Sequence, residues 1–276
     1  MMKKILILSF NIIIGLFACS QSISQKENLI LIDGYLYGNR IENSDKSKSI
    51  VNRIYKPESI FTFNYKYIDN AGKEMFFIIN NNGTWDFVET NQNEGNIIKD
   101  FKLEILNRNI HYNNPSFYQT GISFIIDNNI TTTGLIENEL NVWLHPPREY
   151  LFKILELNPF PYIKYPLEVG NSWNWKLKIG SAWGDKRWKV WSGIIENKYQ
   201  YSIVGIEKIK TIFGTLDCYI VEGQAESELG KTKLTSYFNE KYGFVRLEYT
   251  NIDNSKIEMN LQKAHIQMIK MFKNSL

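Results

Sequence analysis

In residues 172–179, Ser-Trp-Asn-Trp-Lys-Leu-Lys-Ile, every second side chain is apolar. An extended chain sends successive side chains to opposite faces, so Trp173, Trp175, Leu177 and Ile179 share one face. Ser172, Asn174, Lys176 and Lys178 share the other. Residues 256–261 repeat the rule, with Ile257, Met259 and Leu261 against Lys256, Glu258 and Asn260. Between these two stretches, "RWKVWSGII", "YQYSIVGIE", "TLDCYIVEG", "TKLTSYFN" and "GFVRLEYT" read as further strands, and "NEKYG" as the turn between the last two. Connections this short can join only antiparallel neighbours, so the half reads as a meander with one face packed and one wet.

The first half follows a looser version of the same pattern. "IFTFNYKYI", "EMFFIIN", "GTWDFVET", "FKLEIL", "GISFIID" and "ELNVWL" are short runs rich in β-branched and aromatic residues, separated by Asn and Gly clusters. "NNNG" at 80–83 reads as a hairpin turn, because Asn and Gly tolerate positive φ. A helix is expected in "HPPREYLFKILEL", with Pro147 at its first position, Leu151, Ile154 and Leu155 at helical spacing, and Pro159 as its stop. The three prolines of "NPFPYIKYP" make that stretch a linker or crossover. The fold class expected is therefore mainly β, an antiparallel meander forming a curved sheet or open barrel with one short helix near 147–157. Its regions are 29–158 and 159–276, which together can form one continuous domain.

The first 19 residues have another character. Lys3 and Lys4 precede an apolar stretch, Ile5 to Phe17, and a small residue, Ala18, as in a secretory signal. At ~1.5 Å per residue this stretch covers about 20 Å, too little for a hydrocarbon core of about 30 Å. Leu16-Phe17-Ala18-Cys19 resembles the lipobox of bacterial lipoproteins, with Phe17 departing from the small or aliphatic residue usual there. The resemblance implies a signal peptide at 1–18, lipidation of Cys19, a flexible tether at 19–28 and attachment to a membrane through N-terminal acyl chains. Ser20 follows in place of the aspartate that resembles an inner-membrane retention signal. This favours the outer membrane facing the periplasm, with secretion to the periplasm or cell surface as the alternative. A polar stretch, "RIENSDKSKS" at 40–49, reads as an exposed loop.

A second resemblance covers residues 160–250. Tyr165-Pro166-Leu167-Glu168-Val169-Gly170-Asn171-Ser172-Trp173, then "TIFGTLDCYIVEG" and "YFNEKYGFVRLEY", resemble a pattern of uncharacterised lipoproteins and secreted proteins of Gram-negative, Bacteroidetes-like bacteria. A weaker likeness is to the open β-barrel carriers of the LolA type, which implies an antiparallel sheet wrapped around an apolar cavity under a helical lid. Neither resemblance brings catalytic residues or a cofactor.

Composition excludes some partners. Without Lys3 and Lys4 the formal charge falls from +3 to +1, which offers nucleic acid no concentrated basic face. With Cys19 acylated, Cys218 is the one cysteine left, so no intramolecular disulfide is expected. Cys218 itself alternates with Ile220 inside a strand and reads as core. His111, His145 and His265 lack the spacing of a metal pair, and no phosphate loop, dinucleotide fingerprint or Gly-x-Ser-x-Gly occurs. Glu222, Glu226 and Glu228 could share a face as in a glycosidase, but read more simply as a wet sheet surface.

The residues that could bind a ligand or partner are aromatic or lie at a corner. Five of the seven tryptophans fall between 173 and 191. Trp173 and Trp175 point to one face, and Trp183 sits in "GSAWGDKR", the tip between two strands. It either touches a partner or folds back over the sheet edge. His145 and Arg148 flank a rigid double proline, where a fixed arginine could receive an anion. The expected function is non-catalytic: binding of an apolar ligand or an envelope protein on a sheet face. The alternatives are an assembly subunit with a filled core and, third, a hydrolase.

Overall fold

The structure is a computed structural model that describes residues 29–32, 35–39, 52–89, 97–111 and 118–267; for 29–39, 108–111 and 118 it describes the backbone alone. The expected signal, Cys19, the tether and the loop at 40–49 lie outside the described residues.

The strands in chain order are β1 (Leu29–Ile32), β2 (Tyr35–Asn39), β3 (Ile60–Ile68), β4 (Glu74–Ile79), β5 (Trp85–Val88), β6 (Ile97–Ile98), β7 (Asp100–His111), β8 (Tyr118–Ile126) and β9 (Asn129–Glu137). They continue as β10 (Asn141–Leu144), β11 (Tyr162–Lys164), β12 (Ser172–Gly180), β13 (Ile194–Thr211), β14 (Gly214–Ser227), β15 (Gly230–Asn239), β16 (Gly243–Thr250) and β17 (Lys256–His265). One antiparallel ladder runs β11-β10-β9-β8-β7-β3-β17-β16-β15-β14-β13-β12, with β4 to β6 attached through β3. It curls into a nearly closed barrel, as the mainly β reading expects. Among the described residues β1 and β2 pair only with each other, and β2 lies alongside β12.

The alternation read from the sequence orients the strands. In β17, Ile257, Met259 and Leu261 are buried while Lys256 is exposed. In β15, Thr232, Leu234, Ser236 and Phe238 point inward. The two regions meet at β3 and β17, which pair from Lys256↔Ile68 to His265↔Ile60. Turn chemistry follows the sequence as well. Gly83, φ 78°, closes the 80–83 hairpin, where its N–H donates to Asn80 O at 2.9 Å. Gly243, φ 75°, has a second reason to lack a side chain: a Cβ there would overlap the buried Tyr55 hydroxyl, which accepts a hydrogen bond from Phe244 N at 3.0 Å.

A buried carboxylate pins the segment that carries Tyr55. Glu137, at the end of β9, accepts hydrogen bonds from the backbone N–H groups of Arg53, Ile54 and Tyr55, each at 2.9 Å. Burial raises its pKa, and the three donors pull it back down.

Three expectations are corrected. The helix is a 3-10 helix, Tyr150–Leu157, beginning three residues after Pro147. The run "RWKVWSGII" is mostly not a strand. Asp185 Oδ1 accepts from Arg187 N at 2.9 Å, Asp185 and Lys189 form an isolated bridge, Gly193 turns at φ 74°, and β13 starts at Ile194. Residues 158–163 of the expected linker are buried, and 162–164 form the terminal strand β11, whose single neighbour leaves room for flanking prolines.

Candidate functional site

The first and last strands of the ladder, β11 and β12, share no backbone pairing, and rings fill the seam between them. Trp173 stacks on Tyr201 with centroids 5.5 Å apart and planes 6° from parallel, and Trp175 stacks on Tyr199 at 5.0 Å and 20°. Tyr162 of β11 meets both Trp173 and Tyr201 edge-on at 5.5 Å. Trp143 of β10 reaches Trp175 at 5.9 Å. These rings are all at least nine-tenths buried.

The chain itself fills what remains. From the last residue of the 3-10 helix, residues 157–160 run buried through the interior and bond to inward-facing side chains. Leu157 O accepts from Asn197 Nδ2 and Thr232 Oγ1, both at 2.9 Å. Phe160 O accepts from the Tyr201 hydroxyl at 3.1 Å, and Asn158 Nδ2 donates to Thr250 O at 3.1 Å. Pro159 packs so closely on β14 that a Cβ on Gly223 would stand 2.9 Å from the proline ring and from Tyr201. Phe160 contacts Trp143, Trp175 and Tyr199. A buried segment needs partners for its carbonyls, and Asn197, Thr232 and Tyr201 supply them to Leu157 and Phe160, while Asn158 Oδ1 is buried with no hydrogen-bond partner.

Beside this plug lies a buried titratable pair. His145 Nε2 is 3.4 Å from Glu156 Oε1, with side chains 12% and 5% exposed. His145 Nδ1 is 2.7 Å from Pro146 O, which fixes the tautomer: Nδ1–H donates to the carbonyl and Nε2 is left as an acceptor. Burial, then the nearby Arg148 charge, pushes His145 down to about 3. Burial pushes Glu156 up to about 7, with Arg148 opposing. A neutral imidazole facing a carboxylic acid is the arrangement both shifts favour.

The sequence-selected residues all surround this centre. Trp173 and Trp175 belong to the seam, and His145 packs against Phe160 at 4.8 Å. The Arg148 guanidinium sits 5.5 Å over the Trp183 ring and donates to Thr132 O at 3.3 Å. Trp183 is half-buried, folded back onto the body of the protein. Further along the same loop Trp188 stacks on Trp85 at 6.3 Å, and Arg187 Nη2 donates to Trp85 O at 2.9 Å, so the 181–193 loop is pinned to β5. Glu156, Trp143, Phe160, Tyr199 and Tyr201 were not singled out from the sequence. Glu156 had a signal: it is the one acid in the otherwise apolar turn "YLFKILEL" apart from Lys153.

The remaining chemical candidates lie elsewhere. Cys218 is fully buried, and burial followed by Asp217 pushes its thiol up to about 11, which makes it a poor nucleophile. Glu222, Glu226 and Glu228 are exposed on the outer face, and Glu226 pairs with Lys231 at 3.5 Å. Glu226 and Glu228 line a polar outer groove of about 680 Å³ with Glu196, Lys198 and Lys231. Among the described residues, no three His, Cys, Asp or Glu side chains gather as metal ligands. His265 is exposed, and the His111 side chain lies outside the described residues.

No protein-family model matches this chain, and no curated protein does. Solved structures similar to it include a Bacteroides fragilis protein described as exported and of YmcC-like fold, at 12% identity and TM-score 0.43, covering 77% of this chain and 98% of that one. Another is a Parabacteroides distasonis protein described as a lipoprotein, at 13% identity and TM-score 0.42, covering 77% and 97%. A third is the hypothetical lipoprotein YmcC of Escherichia coli, at 11% identity and TM-score 0.33, covering 76% and 88%. At these scores the likeness is one of outline and carries no inference about this chain.

Proposed function

We propose that this chain is a lipid-anchored protein of the cell envelope, held at the outer membrane and facing the periplasm, that catalyses nothing and works through its outer surface as a structural or assembly subunit. The observation that carries the reading is the plug. Residues 157–160 are buried where a carrier would hold its ligand, with the Leu157 carbonyl bonded to Asn197 and Thr232 and the Phe160 carbonyl to Tyr201. Apolar ligand pockets of ~300 Å³ or more are lined by side chains free to face the ligand. Here the rings that would line one face each other instead. Holding an apolar molecule at this place would require Trp173, Trp175, Tyr199 and Tyr201 to separate and the plug to leave. The anchor is supported by Lys3, Lys4, the apolar run and Cys19.

Two experiments test the two parts. Labelling cells with radioactive palmitate should mark the wild-type chain and leave Cys19→Ala unmarked; equal incorporation removes the anchor. Titration with the apolar fluorophore N-phenyl-1-naphthylamine should give no saturable rise in emission. Saturation at one dye per chain would restore the carrier reading in place of the subunit.

A further inference from the structure

β13 outruns its neighbour. Its pairing with β12 ends at Ser172↔Ser202, and β14 pairs with β15 only from Tyr219 onward. Residues 203–218 therefore continue as a two-stranded ribbon to a turn at Thr211–Gly214. The two central residues of that turn are Ile212 and Phe213, where turns facing water usually carry Asn, Asp, Gly or Ser. The turn does not need apolar residues. Thr211 Oγ1 accepts from Phe213 N at 3.0 Å and donates to Gly214 O at 2.9 Å, and Gly214 supplies φ 99°. Phe213 turns back and stacks on Tyr242 with centroids 4.4 Å apart. Ile212 remains 60% exposed, and Ile206, Val204 and Val169 below it are 53%, 44% and 57% exposed. Val169 belongs to this end because Gly170 N donates to Ile203 O at 2.8 Å.

We propose that the β13–β14 turn is a membrane-docking tip, which rests Ile212 in the interfacial layer of the bilayer to which Cys19 tethers the chain. The proposal rests on the anchor reading. Nine residues, 20–28, separate Cys19 from β1, so the body stays within ~30 Å of chain from the bilayer surface. The β1–β2 pair in turn lies beside β12, the strand beyond whose Ser172 end the ribbon emerges. For a tethered body the second contact is intramolecular, so a contact too weak to recruit a free protein is enough to orient an anchored one. Lys210, exposed between Ile206 and Ile212, has a stem long enough to bring its ammonium group to a lipid phosphate, while the Lys208 ammonium pairs with Asp217 at 3.1 Å. A protein partner fits the feature less well. A stable interface buries roughly 1,000 Å² or more, and the ribbon end, which leans on β16 and β17 so that Ile212 shares a groove of about 290 Å³ with Val245, Arg246 and Glu258, offers only a line of separate aliphatic residues.

The test uses the full chain, isolated in its processed form and reconstituted into vesicles of phosphatidylethanolamine and phosphatidylglycerol with nitroxide-labelled lipid. Ile212→Cys carries an environment-sensitive fluorophore, and Ile130→Cys, at a position 66% exposed beside the β8–β9 turn, carries the same label for comparison. Cys218 is buried and does not compete for label. The label at 212 should shift to the blue and lose more than half its emission to the nitroxide, while the label at 130 keeps its emission. Equal quenching at both sites, or none at 212, overturns the proposal, as does self-quenching at 212 that reports a second copy. The intact mass of the same samples reads acylation separately. Acylated protein with 212 unquenched overturns the tip alone, and missing acyl mass with 212 quenched overturns the anchor alone.

Discussion

Glu137 shows what one side chain can hold. Its two oxygens serve three backbone donors on a segment more than eighty residues away in sequence. Glu137→Ala strands three N–H groups, two of them on buried residues, and at about 1–3 kcal/mol for each unpaired buried group should destabilise the fold by roughly 3 kcal/mol or more. Urea unfolding followed by circular dichroism reads this as a lower midpoint at unchanged slope. Gly223 makes the opposite point, a position defined by lack of space. Gly223→Val forces a side chain against Pro159 and Tyr201 and should cost about 1–3 kcal/mol. Gly180→Ala, with nothing within 4 Å of the new Cβ and φ at −76°, should stay within about 0.5 kcal/mol of wild type. Comparable losses for the two glycine variants would contradict a plug seated on β14. Neither Glu137 nor Gly223 was legible in the sequence, because a buried acid and an interior glycine acquire their meaning from partners far along the chain.

At the scale of elements, legibility tracked period. β12, β15 and β17 alternate along their length and β16 from Val245 onward, and these were readable, since one face is more exposed and the other packed. β9 was missed: its Thr131-Thr132-Thr133 is β-branched but polar, and its second half, Gly134 to Glu137, is buried on both faces. "RWKVWSGII" alternated and misled, because Asp185 and Gly193 impose turns that a period count ignores. The plug looked like a linker for a related reason, since three prolines remove donors whether a segment lies in water or in a core. Beside it, the pH response of His145 and Glu156 can be worked out. His145 sits at about 3 in the fold against about 6.5 unfolded, so its contribution is full above 6.5 and is lost as pH falls toward 3. Glu156 sits at about 7 against about 4.5 unfolded, so its contribution is full below 4.5 and is lost as pH rises toward 7. Between pH 4.5 and 6.5 the two slopes oppose. Stability from this pair should be nearly flat there in wild type, rise with pH in Glu156→Gln, and fall with pH in His145→Gln. Parallel pH profiles for all three proteins, read from urea midpoints, would contradict the two opposed shifts that burial imposes on His145 and Glu156.

Across the whole molecule, the ladder begins at β11 and ends at β12, and closure is left to rings instead of backbone bonds. That choice commits the interior. Trp173 and Trp175 were readable as one apolar face, but the sequence could not say whether that face meets a ligand or the protein's own chain. The answer depends on residues 157–160 and their bonds to β13 and β15. The account stands or falls on this interior. Native mass spectrometry of the anchored protein, extracted in detergent from its own envelope, measures it most directly. A single species bearing only its covalent acyl chains is the predicted result. A lipid or other apolar molecule retained non-covalently at one per chain would contradict it.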